Sequence, residues 1–251
     1  MKVIKKAAIS FAVLLFWISL WQVIALCIAN DLLLPSPIYT VKRLTGLAMN
    51  KDFYLFTAFS LLRILTGIFA AIVLSLPLSA ICSRSKLSDA LFAPAVTLMK
   101  STPVVSFILI AIFIVDRSVI PTLITFMMVF PVLYENLREG IKCAPQDLIE
   151  MSMVFSIPWH LRIKRIYLPA IRPFFNSALC TSVGLAIKAG VAAEVIAYIP
   201  LSIGKKLSDA KSYMEPADLF AWTAVIVLLS LAAEKLLRLI LSKRERSRSN
   251  A

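Results

Sequence analysis

An all-α integral membrane protein is the fold class predicted for this chain of 251 residues. The expected plan is six transmembrane helices, both termini cytoplasmic, and a polar loop between the fourth and fifth spans. Three observations carry it. The composition is 60% hydrophobic and only 16% charged, whereas charged residues make up about 25% of a soluble domain. The apolar residues also fall in unbroken runs near the roughly 20 residues that a helix needs to cross a bilayer. Finally, the basic residues sort by side. Lys2, Lys5, Lys6, Arg84, Lys86, Arg138, Lys142, Arg162, Lys164, Arg165, Arg172 and the run from Lys235 to Arg248 gather on one side of the proposed spans. The other side holds scattered cations such as Lys42, Lys51, Arg117 and Lys211. The richer side is cytoplasmic by the positive-inside rule.

The net charge of +13 therefore reads as topology and attraction to lipid rather than as a nucleic-acid patch. Cys27, Cys82, Cys143 and Cys180 are scattered and His160 is the single histidine, a pattern that suggests neither a zinc site nor a disulfide framework. The longest polar stretch, residues 136–170, leaves no room for a soluble catalytic domain.

In chain order, residues 7–29 form the first span, too long and too poor in a small-residue cleavage site for a signal peptide. Residues 30–53 are an external connection. Leu34 to Pro37 is extended by its two prolines, and Val41, Leu44, Leu47 and Ala48 predict a short helix on the membrane surface. The second span covers 56–82, with Arg63 near its outer end, snorkelling to the interface or facing a pathway. The third, 91–115, contains Lys100 and Pro103. Pro103 reads as a helix kink, with a broken helix lining a cavity as the other reading. The fourth span, 118–135, carries Pro121 and Pro131 and leads through Glu135, Glu139 and Gly140 into the polar loop.

That loop reads as two short helices joined by a tight corner. Pro145 suits a first helical turn, with Gln146, Asp147 and Glu150 near the helix start. Leu148, Met151 and Phe155 recur at helical spacing. Ile157 precedes a proline and is pushed out of the α region. Pro158 opens the second helix, whose Trp159, Ile163 and Ile166 share a face, and Pro169 is expected to end it.

The fifth span, 174–199, holds Lys188 deep in the bilayer and Glu194 nearer the outer face. Gly190, Ala193, Glu194 and Ala197 form a small-residue face that admits a close helix neighbour. Lys188 lies about 240° away from Glu194. It is expected to face a pathway or to tie to a neighbouring helix, and Glu194 to make a helix contact. The last span, 219–241, leads to a cationic tail.

Glu150, Ser156, Ile166, Leu168 and Pro169 stand at the spacings of a motif, Glu-Ala-Ala, three residues, Gly, nine residues, Ile, one residue, Leu-Pro. In this the chain resembles the permease subunits of binding-protein-dependent ABC importers. Met151-Ser152 replaces Ala-Ala and Ser156 replaces Gly. The Leu34–Pro37 segment, the tract 60–78, the run from Lys188 to Val195 and Ile203-Gly204 are similar to the nitrate, sulfonate and taurine branch of those permeases.

The resemblance implies a first helix and external linker over 1–53, a permease core over 54–245 with a coupling loop at 136–170, and a cationic tail at 246–251. It implies that Gly140, Glu150, Ser156, Pro158, Trp159, Ile166, Leu168 and Pro169 belong to an ATPase-coupling loop. Arg63, Lys100, Lys188 and Glu194 are the pathway candidates. The implied partners are two ABC ATPase subunits carrying ATP and magnesium, an external solute-binding protein, a second permease copy as a homodimer, and the bilayer of a bacterial inner or plasma membrane. The chain contains no G-x-x-x-x-G-K-[ST] segment, so it is expected to bind no cofactor and to catalyse no reaction of its own. A secondary, ion-coupled transporter using Lys188 and Glu194 is the alternative.

Overall fold

In lipid, apolar side chains gain little by leaving the acyl chains for one another, so helices associate where small residues let backbones approach. Gly67 marks such a point: a Cβ there would stand 2.5 Å from the Thr122 carbonyl oxygen and 2.8 Å from the Thr125 Cβ. Gly190 marks another, facing Ile64 and Thr125. These contacts join the three helices at the centre of the fold.

The computed structural model describes residues 2–28 and 30–249, with the side chains at 2–8, 10 and 243–249 left out of that description. Lys2, Lys5, Lys6 and the tail assigned to 246–251 are therefore outside what it describes for side chains. Among the described residues every regular element is helical. Helix α1 (Lys2–Ile28) is followed by α2 (Pro37–Ala48), α3 (Lys51–Arg84), α4 (Lys86–Ser101) and α5 (Val104–Ile114). A 3-10 turn, Arg117–Val119, leads to α6 (Ile120–Lys142), then α7 (Gln146–Val154) and α8 (Trp159–Arg162). A π turn, Ile163–Tyr167, joins α8 to α9 (Leu168–Ala197), and α10 (Ile203–Ser212) and α11 (Pro216–Ser249) complete the chain.

Helices α3, α6 and α9 form the core, with α6 packed extensively on both of the others. Ile64, Ile68, Leu133, Tyr134, Ile187 and Val191 are buried between them. A second cluster, including Ile108, Ile120, Ile124 and Ala193, packs α5 onto α6 and α9. Helix α11 lies on α9 and α2.

Four stretches among the described residues are long and apolar enough to cross a membrane, Phe11–Ile28, Lys51–Arg84, Arg117–Lys142 and Trp159–Ala197. The pair α4 and α5 passes as a fifth when taken together. Helix α11 covers the segment read as the sixth span.

Two expectations need correction, and a third gains detail. The third span is not a kinked helix: α4 and α5 meet at 106°. The break falls at Pro103, where the residue before proline is disfavoured in the α region, and Thr102 is extended, with ψ 131°. Glu135, Glu139 and Gly140 do not begin a loop; they lie within α6, which continues to Lys142. The short helix α2 does more than rest on a membrane surface. Ser36 caps it through the Tyr39 amide, and Arg43 pairs with Asp218 at the start of α11, so it is anchored to the bundle.

Candidate functional site

At one end of the bundle the chain leaves α6, turns through α7 and α8, and returns in α9. The corner is built from backbone. The Ile157 amide donates to the Ser152 carbonyl at 2.9 Å and the Ser156 amide to the Met153 carbonyl at 3.0 Å. This is the Schellman pattern, whose pivotal residue adopts a left-handed conformation and is usually Gly. Ser156 holds that place with φ 50°. The motif's Gly therefore has a physical reason, and Ser156 occupies its position under strain. Ser156→Gly is expected to stabilise this corner by about 1 kcal/mol, read as slower exchange of the Ile157 amide in the full chain.

Arg162 braces the second arm, its Nε donating to the Ile157 carbonyl at 2.8 Å. Pro158 is the residue capping α8, and the Trp159 ring lies under the Arg84 guanidinium, 4.0 Å from ring centre to carbon. Ile166 is buried and Leu168 exposed. Glu150 is exposed in mid-α7 and has no ion-pair partner within reach among the described residues. Ser152, by contrast, is fully buried, which explains why the motif asks for a small residue there.

Two site expectations change. Pro169 does not end the second helix: Trp159–Ala197 is continuous apart from the π turn. A proline inside an α-helix clashes with the carbonyl four residues back, here that of Arg165. The wider turn, closed by the Leu168 amide on the Ile163 carbonyl, relieves that clash. Gly140 is not on the exposed loop. It is buried on α6 where a Cβ would lie 3.0 Å from the Ile171 Cα of α9, so it serves helix packing.

The four pathway candidates separate. Lys100, in the last turn of α4, pairs with Glu135 of α6, its Nζ 2.8 Å from both carboxylate oxygens. Lys188 is exposed on α9. Glu194 is fully enclosed. Its Oε2 accepts from the Ser60 hydroxyl at 2.7 Å and from the Gly204 amide at 3.2 Å. Its Oε1 stands 3.6 Å from an Arg63 guanidinium nitrogen. Arg63 also donates to the carbonyls of Leu201 and Pro200. It is held inside this cluster and does not simply snorkel.

Sequence reasoning missed Ser60, which also accepts from the Ile203 amide at 2.9 Å. One serine thus bridges α3, α9 and α10. Gly204 is equally constrained, since a Cβ there would fall 2.3 Å from the Glu194 Cβ. The linker between α9 and α10 is folded tightly, with Tyr198 and Leu201 both at positive φ. The Tyr198 hydroxyl donates to Asp209 at 2.7 Å, and that bond raises the phenol above its ordinary pKa.

A bundle of long apolar helices, with an exposed cornered pair at one end and a buried polar latch at the other, defines a polytopic membrane protein. A crystal structure titled as an amino acid ABC transporter with histidines shares the fold, with a TM-score of 0.64, 13% identity, and coverage of 81% of this chain and 97% of that one. The family model for the binding-protein-dependent transport system inner membrane component matches residues 63–246, and the chain belongs to that family of ABC transporter permeases. A relative in Bacillus subtilis named for aliphatic sulfonates transport is 25% identical over 226 residues, 89% of this chain and 81% of its own length. The bicarbonate transport system permease protein of Synechocystis is 25% identical over 208 residues, 78% and 74% of the two chains. The glycine betaine transport system permease protein of Bacillus subtilis is 23% identical over 244 residues, 97% and 80%.

Proposed function

We propose that this chain is the transmembrane subunit of an ATP-driven importer for a small solute of the nitrate, sulfonate, taurine or thiamine-related kind. The sulfonate and bicarbonate relatives favour a small anion within that range. In this reading six spans cross a bacterial inner membrane, with α11 as the sixth, both termini cytoplasmic and α7–α8 on the same side. A second copy of the permease completes the pathway, an external binding protein delivers solute, and two ATPase subunits hold ATP and magnesium.

The observation that carries the proposal is the α7–α8 corner. It is exposed, set by backbone hydrogen bonds, and presents Glu150 without an ion-pair partner among the described residues. A groove on the ATPase that receives this corner can move it as one piece. Movement passes to the core along two routes: α6 packs on α9 at Gly140, and α8 touches the end of α3 through Trp159 and Arg84. Transport then follows from nucleotide shifting the balance between two arrangements of the bundle.

Glu150→Ala removes a charged hydrogen-bonding group whose contribution is about 1.5–3 kcal/mol. ATPase affinity is expected to fall by roughly tenfold to a hundredfold, with uptake falling alongside it and membrane insertion unchanged. Unaltered ATPase binding and unaltered uptake would show that Glu150 is only a solvated residue of α7.

A further inference from the structure

Where α3 and α6 end and α9 begins, an open cavity of about 740 Å³ lies beneath the α7–α8 corner. That size falls within the range of small-ligand sites, roughly 300–1,000 Å³. Ile81, Ile163 and Ile171 supply apolar wall, Trp159 and Tyr167 supply aromatic edges, and Arg84 and Lys142 are its cations. No residue lining it is acidic, and neither cation makes an ion pair among the described residues.

We infer that this cavity binds the headgroup and upper acyl chain of an anionic phospholipid. Its position supports that occupant over a soluble one. Arg84 is the last residue of α3 and Lys142 the last of α6, both helices being long and apolar enough to cross the membrane. In the proposed topology both cations lie beyond the ends of the apolar spans on the cytoplasmic side, toward the level of the lipid phosphates, and Ile81, Ile163 and Ile171 line the same cavity. Trp and Tyr favour the same level because their rings are amphipathic. Basic pockets between membrane helices bind acidic headgroups by this combination of charge and apolar wall. The guanidinium carbon of Arg84 lies 4.0 Å from the centre of the Trp159 ring, and a guanidinium held over an aromatic face can still donate its in-plane N–H groups to a phosphate. Because Trp159 belongs to α8, a lipid seated here touches the cornered helix pair and the end of α3 together. Occupancy is thereby tied to how firmly the corner is held against the bundle.

The test is native mass spectrometry of the full chain, extracted from vesicles of phosphatidylglycerol and phosphatidylcholine in equal amounts. The wild-type chain is expected to retain one phosphatidylglycerol with saturable affinity and to show no such preference for phosphatidylcholine. Replacing both cations, Arg84→Gln with Lys142→Gln, should weaken that affinity about thirtyfold, equivalent to about 2 kcal/mol. Ile171→Trp, which fills the cavity and keeps both cations, should also abolish the retained lipid. Equal retention of the two lipids by the wild-type chain overturns the inference without need of any variant. So does a phosphatidylglycerol that persists in Ile171→Trp, because it then sits elsewhere. Displacement of the lipid by inorganic phosphate at millimolar concentration overturns it as well, because the site would then be one for a free anion.

Discussion

Glu194→Ala is expected to cost about 3 kcal/mol or more of stability and to loosen the end of the bundle where α3, α9 and α10 meet. Removing one member of a buried charge pair leaves the other without compensation, typically at about 3–5 kcal/mol. Here the loss is shared. The Ser60 hydroxyl and the Gly204 amide both lose their acceptor, and Arg63, its side chain only 18% exposed, loses its carboxylate. Glu194→Gln keeps an oxygen for Ser60 and Gly204 and gives up the charge and the second acceptor, the one facing Arg63, so it should cost less than Glu194→Ala. Thermal unfolding of the purified chain in one detergent ranks the three proteins. A double-mutant cycle with Arg63→Ala should return a coupling within the roughly 0.5–3 kcal/mol range of contacting residues. A coupling near zero would mean that the 3.6 Å approach of Arg63 carries no energy.

Gly67→Leu is expected to prevent α3 from docking on α6. Overpacking by a few carbons in a tight interior costs about 1–3 kcal/mol when neighbouring side chains can yield. At Gly67 the obstruction is backbone, the Thr122 carbonyl oxygen 2.5 Å from where a Cβ would be. The two helices must separate, and because lipid replaces the lost contacts at little cost, nothing pulls them back. The variant should insert but elute as an aggregated or polydisperse species. Gly46→Leu, at a glycine with nothing within 4 Å of its Cβ position, is the matched control and should elute as the wild-type chain does. Monodisperse Gly67→Leu protein would contradict the close α3–α6 approach.

What the sequence determined by itself is local. Unbroken apolar runs locate the membrane helices, because a backbone in lipid must satisfy its hydrogen bonds within the helix and has no other regular solution for a single segment. Ile157 before Pro158 sets the corner between α7 and α8, and the motif position of Ser156 coincides with the left-handed residue of the α7 C-terminus. Gly190, Ala193 and Ala197 are small residues at helical spacing and do form a buried contact face.

Only the tertiary structure decided what lies across helices. The enclosure of Glu194 depends on Ser60, Arg63 and Gly204 arriving from α3 and α10, and no spacing rule links those positions. The 106° break between α4 and α5 differs from a kink only in how far the chain turns after Pro103, which neighbours determine. Pro169 stays within a helix because a π turn makes room for its ring, and Gly140 is set apart from the exposed loop because α9 passes 3.0 Å from its Cβ position. Local pattern specifies each helix and its apolar faces. Which faces meet is set by the fit of small residues and buried polar groups between helices far apart in the chain.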